Sequence, residues 1–590
     1  MQKGMTNTIC FDTMDANLSE KRSIIMVDLK AKPFYLSDAE IQWVKDTIAG
    51  MTIEEKIGQL FCPVGFSTDK TVLKNMLEKN ICGIMYRPGM AAETQEVHRF
   101  LQNNAKIPLF LAANLEAGGN GIAADGTCFG KPMQAAATGD PEEGYHLGKI
   151  ACTEGAAVGV NWSFAPIVDI DNNWRNPITN LRTFGDDADR VIEFGSGYLR
   201  GAKEAGLIVS IKHFPGDGCD ERDQHLHLTI NDRSADEWMA TYGKIYKTLI
   251  EQGAETVMVG HIAQPAWAKR INPQISEEEA YLPATLSYEL MTGLLRGVLG
   301  FNGMISTDAT PMLGFMCAMP RREAVPRAIA VGCDVFLFNK DFEEDYGYMM
   351  DGYKNGVISD ERLEEALTRI LGTKAAMGLP KKKAEGTLVP GPEALSVLRN
   401  EEFLTWTKNC ADKAVTLVKD TQHLLPISPE KTPRVVLFTS ESGGFMGETS
   451  GIYEKMKAEL ESRGFTVLDP PAGGFSDKPM NVEEFKKTYD LAIFAFNFET
   501  ASNNTVIRLT WKGGLTGSSS PWFSREIPTL AVSFANPYHL VDVPQVKTFI
   551  NAYTFNEYTL PAVMDKLMGV SPFTGISPVD PFCGKLDTRF

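Results

Sequence analysis

The stretch "LIVSIKHFPGDGCDERDQHL" (207–226) changes character in its middle. Its first half is an apolar run that reads as a buried strand, and "PGDG" then forces a turn. The strand ends in Lys212 and His213, and the segment beyond the turn is acidic and carries His225. Working outward, seven further apolar runs flank it. "IGQLFCPV" (57–64), "ICGIMY" (81–86), "IPLFLAAN" (107–114) and "VNWSFAPIVDI" (160–170) precede it. "TVMVGHI" (256–262), "GMISTDA" (303–309) and "DVFLFN" (334–339) follow. Between them, stretches such as "DADRVIEFGSGYLRGAKEAG" and "SYELMTGLLRGVLG" read as helices closed by Gly. Strands and helices alternating in this way predict a (β/α)8 TIM-like barrel over 37–377. The runs end in Asn114 and Glu116, Asp169, Lys212 and His213, His261 and Asp308. In a barrel those ends converge on the face where sites lie.

At "GLPKKKAEGTLVPGPEAL" (378–395) the composition turns to Pro, Gly and Lys, as in a linker. Beyond it, 396–590 predicts a smaller α/β domain of three-layer, sandwich-like form. "LSVLRNEEFLTWTKNCADKAVTLVKD" reads as helix, and "RVVLFTS", "GFTVLD", "LAIFAFNF", "TLAVSFANP" and "TFINAYT" read as strands. "GGFMGETSG" is glycine-rich without the spacing of a dinucleotide or Walker loop, so no nucleotide site is expected there. Residues 1–36 form an N-terminal extension expected to be partly disordered, with Met26 as an alternative start. The expected class is thus α/β, a barrel followed by a second α/β domain.

A length of 590 residues suits two or three domains. The formal charge of −17 argues against a nucleic-acid binder, whose domain would normally show a basic face. Ten cysteines without a CxxC pair fit reduced thiols. No apolar run resembles a signal peptide or approaches the roughly 18 residues of a membrane span, so a cytoplasmic protein with no membrane partner is expected. A homodimer stays open.

Three readings compete for the acidic loop. A metal could use Asp220, Asp223, His225 and His227, but histidines two apart point to opposite faces of an extended segment, and no HExxH spacing occurs. A phosphate could use Lys212 and His213, though the nearby acids repel it. In the third reading Asp223 bonds one ring nitrogen of His225 and favours the imidazolium. The other nitrogen is then free to protonate a leaving group and later to take a proton from water. A solvated loop with a capping histidine is the bland alternative. Asp308 ends an apolar strand, where an unpaired carboxylate costs on the order of several kcal/mol. Lys212 is its expected partner. An ionised carboxylate with a separate acid/base is the minimal kit for retaining glycoside hydrolysis.

The stretch "KHFPGDGCDERDQH" resembles the signature of glycoside hydrolase family 3, in its β-N-acetylhexosaminidase branch with an Asp–His dyad. That branch typically reads KHFPGHG followed by D-S-H. "MTIEEKIGQLF" (51–61), "FAPIVDI" (164–170), "NLRTFGDD" (180–187), "PATLSYELMTGLLRGVLGF" (283–301) and "KAVTLVKDTQHLLPI" (413–427) are similar to further family blocks. "GVSPFTGISPV" (569–579) is similar to the end of some two-domain members. The resemblance implies Asp308 as nucleophile, Asp223 and His225 as the acid/base dyad, and Lys212, His213 and Arg182 as sugar contacts. It sets His261 near the nucleophile, leaves Asp334 structural, and implies no metal or organic cofactor. Two departures stand out. Asn114 in "NLEAGGNG" replaces an Asp that grips sugar hydroxyls, which loses charge-assisted bonds. Asp217 stands where relatives carry His, and as an added acid is expected to favour the His225 imidazolium further. Asn114, His261 and Asp217 complete the expected substrate-binding set. The implied activity is a retaining exo-β-glycosidase releasing terminal β-N-acetylglucosaminides through a covalent glycosyl-enzyme. The alternatives are a β-N-acetylglucosaminide phosphorylase, a β-glucosidase-like enzyme of the same family, and a non-catalytic sugar-binding relative.

Overall fold

The computed structural model describes residues 27–443, 449–471, 480–511 and 520–590. Most of the N-terminal extension, Met26 included, and the centre of "GGFMGETSG" lie outside the described residues.

The barrel strands are β1 (Phe61–Cys62), β2 (Val64–Gly65), β3 (Gly83–Tyr86), β4 (Phe110–Ala113), β5 (Trp162–Ser163), β6 (Ile208–Phe214), β7 (Thr256–Val259), β8 (Met304–Thr307) and β9 (Phe336–Leu337). Strands β2 to β8 form one parallel sheet of 7 in chain order. Pro63 has no N–H to give a ladder and divides the first run into β1 and β2. β2 pairs with β3, while β1 turns back to pair with β9, and Val335 bridges Ser306 beside β8. The sheet thereby closes on itself, with strands in every apolar run from which the barrel was expected. All of β6 is buried, as a strand inside a helix-covered barrel must be. Outside it, helices Glu142–Ala157 and Ala188–Glu204 meet through glycines. A Cβ on Gly201 would lie 2.4 Å from the Lys149 nitrogen, so only glycine permits this approach. No helix among the described residues is long and apolar enough to cross a membrane.

The second domain holds β10 (Thr416–Asp420), β11 (Arg434–Glu441), β12 (Thr466–Leu468), β13 (Leu491–Asn497), β14 (Thr529–Ser533) and β15 (Thr548–Asn551). They run in the order β10-β15-β14-β13-β11-β12, and only β10 is antiparallel to its neighbour. Alternate residues feed cores on the two faces: Val435, Leu437 and Ile493 on one, Val436, Phe438 and Phe494 on the other. The helix expected to run to residue 420 instead ends at Ala414. The β-branched Val415, Thr416 and Val418 favour the strand that replaces it.

The segment read as a linker is helical over Leu379–Glu385 and then strapped to the barrel. The carbonyls of Pro390 and Gly391 accept hydrogen bonds from Arg99 and Gln95. Helix Glu401–Ala414 sends Phe403 and Cys410 into the barrel's own core.

Between the domains, Met133, Ala137 and Leu181 pack with Ala535, Tyr538 and Tyr553. The Tyr538 hydroxyl donates to Asp171 over 2.6 Å, and Thr179 and the Asn180 amide donate to the other oxygen. Burial pushes the Asp171 carboxyl up to about 6, against the pull of those donors. A raised pKa means the folded state holds the proton more tightly than the unfolded chain. The associated stability, about 3 kcal/mol, is present below the ordinary Asp pKa and lost as pH rises through about 6. Asp171→Asn should therefore lose less thermal stability between about pH 4 and about pH 7 than the parent does. Melting curves across that range check this, and parallel losses in the two proteins would refute it.

Candidate active site

β6 delivers Lys212 and His213 to the mouth of the barrel, joined by a cis peptide. Lys212 Nζ lies 2.7 Å from Glu116 Oε1 and 3.4 Å from Asn114 Oδ1. Arg182 grips both oxygens of Glu116 through Nε and Nη2, each at 3.0 Å. Burial works to raise the Glu116 carboxyl, but Arg182 and Lys212 hold it well below the usual carboxylate range. A bidentate arginine and a lysine on one carboxylate form a rigid group, so two of the expected sugar contacts arrive already oriented.

Asp308 follows β8, with its side chain 15% exposed. Its Oδ1 accepts from the Ala309 amide at 2.7 Å, and its Oδ2 lies 3.8 Å from His213 Nε2. Burial opposes its ionisation. The neighbouring His213, His261 and His225 outweigh burial and draw the carboxyl below its ordinary range. The sequence pointed to Lys212 as its partner. The structure instead commits Lys212 to Glu116 and turns His213 toward Asp308, because Asp169 Oδ2 holds His213 Nδ1 at 2.7 Å. Asp169 Oδ1 also accepts the amides of His213 and Asp217, which fixes the turn after β6.

His261 is fully buried, and burial lowers its pKa to about 4, leaving a neutral ring. Its Nε2 must donate to the Ala309 carbonyl at 3.0 Å, and its Nδ1 faces the Thr285 hydroxyl at 3.0 Å. Both ring nitrogens thus bond protein groups, and the ring braces the residue after Asp308.

The loop after β6 carries the dyad. His225 Nδ1 lies 2.6 Å from Asp223 Oδ1, which also accepts the His225 amide at 2.9 Å. The Asp223 side chain is wholly buried, while that of His225 is 26% exposed. With Nδ1 committed to the carboxylate, Nε2 is the nitrogen available for chemistry. The loop is pinned to the segment behind Asp308, because Leu313 and Gly314 donate to the carbonyls of His225 and Gln224. Farther on, Thr229–Ile230 pairs with Ile262–Ala263 beside His261.

Asp217 lies beneath this loop, only 3% exposed. It accepts from the Gly218 amide, Asn176 and Gln224. Burial and the charges of Asp169 and Asp223 push its carboxyl well above the usual range. The added acid beside the dyad is thus driven toward its neutral form and supplies no extra anion for His225. The four residues of the metal reading do not gather. Asp220 is taken by Arg222 and the Ile230 amide, and among the described residues no three His, Cys, Asp or Glu side chains group as metal ligands. Asp334 is ringed by Arg296, Arg362 and the Ile305 amide inside the barrel wall.

The second domain also reaches the site. The Asn503 amide donates to Asp223 Oδ2 at 2.8 Å, and Thr500 Oγ1 accepts the amide of Leu181, next to Arg182.

A family profile described as "Glycosyl hydrolase family 3 N terminal domain" matches residues 52–373. A "Beta-N-acetylglucosaminidase/beta-glucosidase" of Cellulomonas fimi is 41% identical over 96% of this chain and 100% of its own. "Beta-hexosaminidase A" of Pseudoalteromonas piscicida is 29% identical over 54% of this chain and 55% of its own. Among solved structures, "Beta-glucoside phosphorylase BglX" superposes with a TM-score of 0.89 at 46% identity, over 95% of this chain and 99% of that one.

Proposed function

The chain belongs to glycosyl hydrolase family 3, and with that as premise we propose that it is a retaining exo-β-glycosidase acting on terminal β-N-acetylglucosaminides. The observation that carries the reading is an ionised Asp308 sharing the barrel mouth with a histidine whose Nδ1 is bonded to the buried Asp223. Asp308 attacks the anomeric carbon as the bond to the aglycone oxygen breaks. The electron pair leaves with that oxygen, which takes the proton from His225 Nε2. The neutral imidazole then removes a proton from water, whose oxygen attacks the same carbon and frees Asp308. Two inversions leave the β configuration retained. Asp223 orients the ring through its bond to Nδ1. Lys212, Arg182, His213 and Asn114 meet the sugar hydroxyls, while Asp217 and His261 hold the loops that carry the chemistry. The nine cysteines among the described residues are unpaired, which suits the cytoplasmic location included in this reading.

A second reading rests on a specific observation, the 46% identity to the structure titled as a β-glucoside phosphorylase. A neutral imidazole repels phosphate less than a carboxylate base would, so phosphate could take the place of water. The Asn114 amide, in place of a carboxylate, also loses a charge-assisted grip on the sugar hydroxyls, which keeps a plain glucoside among the candidate substrates. Nitrophenyl β-glycosides assayed with and without phosphate separate the readings. The N-acetylglucosaminide should be cleaved fastest, giving free sugar, whereas sugar 1-phosphate would favour the second reading. Inertness toward the whole panel would sink both.

A further inference from the structure

Asp223 is a wholly buried carboxylate whose two oxygens are served from different domains. Oδ1 takes both donors of His225, Nδ1 at 2.6 Å and the amide at 2.9 Å. The Asn503 amide at 2.8 Å is the only donor on Oδ2 among the described residues. A buried carboxylate oxygen is tolerated only when its lone pairs meet donors, and an unserved one favours turning the group toward another donor. Turning away would break the Oδ1 contact with His225 Nδ1.

We propose that Asn503 is a positioning residue: its backbone N–H holds Asp223 oriented, so that the acid/base dyad of the barrel is completed by the second domain. The proposal rests on the assignment of His225 as acid/base. Asn503 has a φ of 66°, in the left-handed region that asparagine tolerates better than most residues. That turn aims its N–H at the barrel. The same segment is tied to the barrel at two further points. Thr500 accepts the Leu181 amide at 3.3 Å, and Glu499 pairs with Lys131 at 3.3 Å. The segment therefore spans the loops that carry the sugar-holding Arg182 and the proton-moving His225.

Because the donor is a backbone group, backbone-directed substitutions test it. Asn503→Val disfavours the positive φ, and Asn503→Pro removes the N–H outright. Asn503→Gly keeps both the N–H and the turn. Measured as kcat/KM, Val and Pro should each lower cleavage of an alkyl β-glycoside about tenfold to a hundredfold. An aryl glycoside with a strongly acidic leaving group should stay within about twofold, since it needs no proton. Gly should match the parent on both substrates. Unchanged melting temperatures exclude a fault in folding, and if Pro is unstable, Val against Gly still decides. Equal losses on both substrates, or no loss on the alkyl glycoside, would overturn the proposal. His225→Ala, assayed alongside, separates the levels. If it splits the substrates while Val and Pro do not, only the role of Asn503 fails. If it shows no split, the acid/base assignment fails too and takes the proposal with it.

Discussion

Asp308→Asn should lower turnover by roughly four orders of magnitude or more on every glycoside, whatever the leaving group. The amide keeps the size of the carboxylate and can still accept from the Ala309 amide, so the mouth of the barrel should hold its shape. What it lacks is the negative charge that bonds the anomeric carbon. The surroundings are built for that charge, since His213 and His225 draw the Asp308 carboxyl down despite its burial. Steady-state rates beside a melting curve check the result. A well-folded variant retaining more than about a tenth of the parent rate would remove Asp308 from the reaction.

His225→Ala is expected to act selectively. With poor leaving groups the departing oxygen needs a proton in the transition state, and kcat/KM should fall by roughly 10²- to 10⁴-fold. With a strongly acidic phenol it should change little. On that same activated substrate kcat should still drop, because the second step has lost its base. The glycosyl-enzyme should then accumulate and show as a burst of phenol before a slow steady state. Asp223→Asn should follow the same pattern more mildly, as the ring survives without its orienting anion. A uniform loss across leaving groups would mean that His225 binds or shapes the site and does not move the proton.

The barrel could be read from its apolar runs because strands buried on both faces leave a continuous trace in the sequence. The end of the helix at Ala414 was hidden, since "AVTLVKD" continues an amphipathic pattern until pairing with β15 overrides it. In the site, Asp308 was legible as a carboxylate ending an apolar strand, whereas for Asp223 and His225 the spacing left a solvated loop equally open and the resemblance to family 3 singled out the pair. Their supports were not. Lys212 was assigned to Asp308, since sequence shows two charges at one barrel mouth and not which of several anions a cation meets. The Glu116 clamp settles that. Asp217 looked like an added charge because sequence does not show burial. Asn503 left no signal at all: its contribution is a backbone N–H, and any residue other than proline offers one.

The strapped linker and the helix after it bear on where this barrel ends. Phe403 and Cys410 close a patch of the barrel's core from a position beyond the Pro- and Gly-rich stretch. In packing terms, the unit with a closed core in this chain is therefore the ring together with its trailing helix. A relative that ended its chain at the last barrel helix would need other side chains over that patch. Under the proposed role of Asn503 it would also need another donor for the oxygen of Asp223 that faces the second domain.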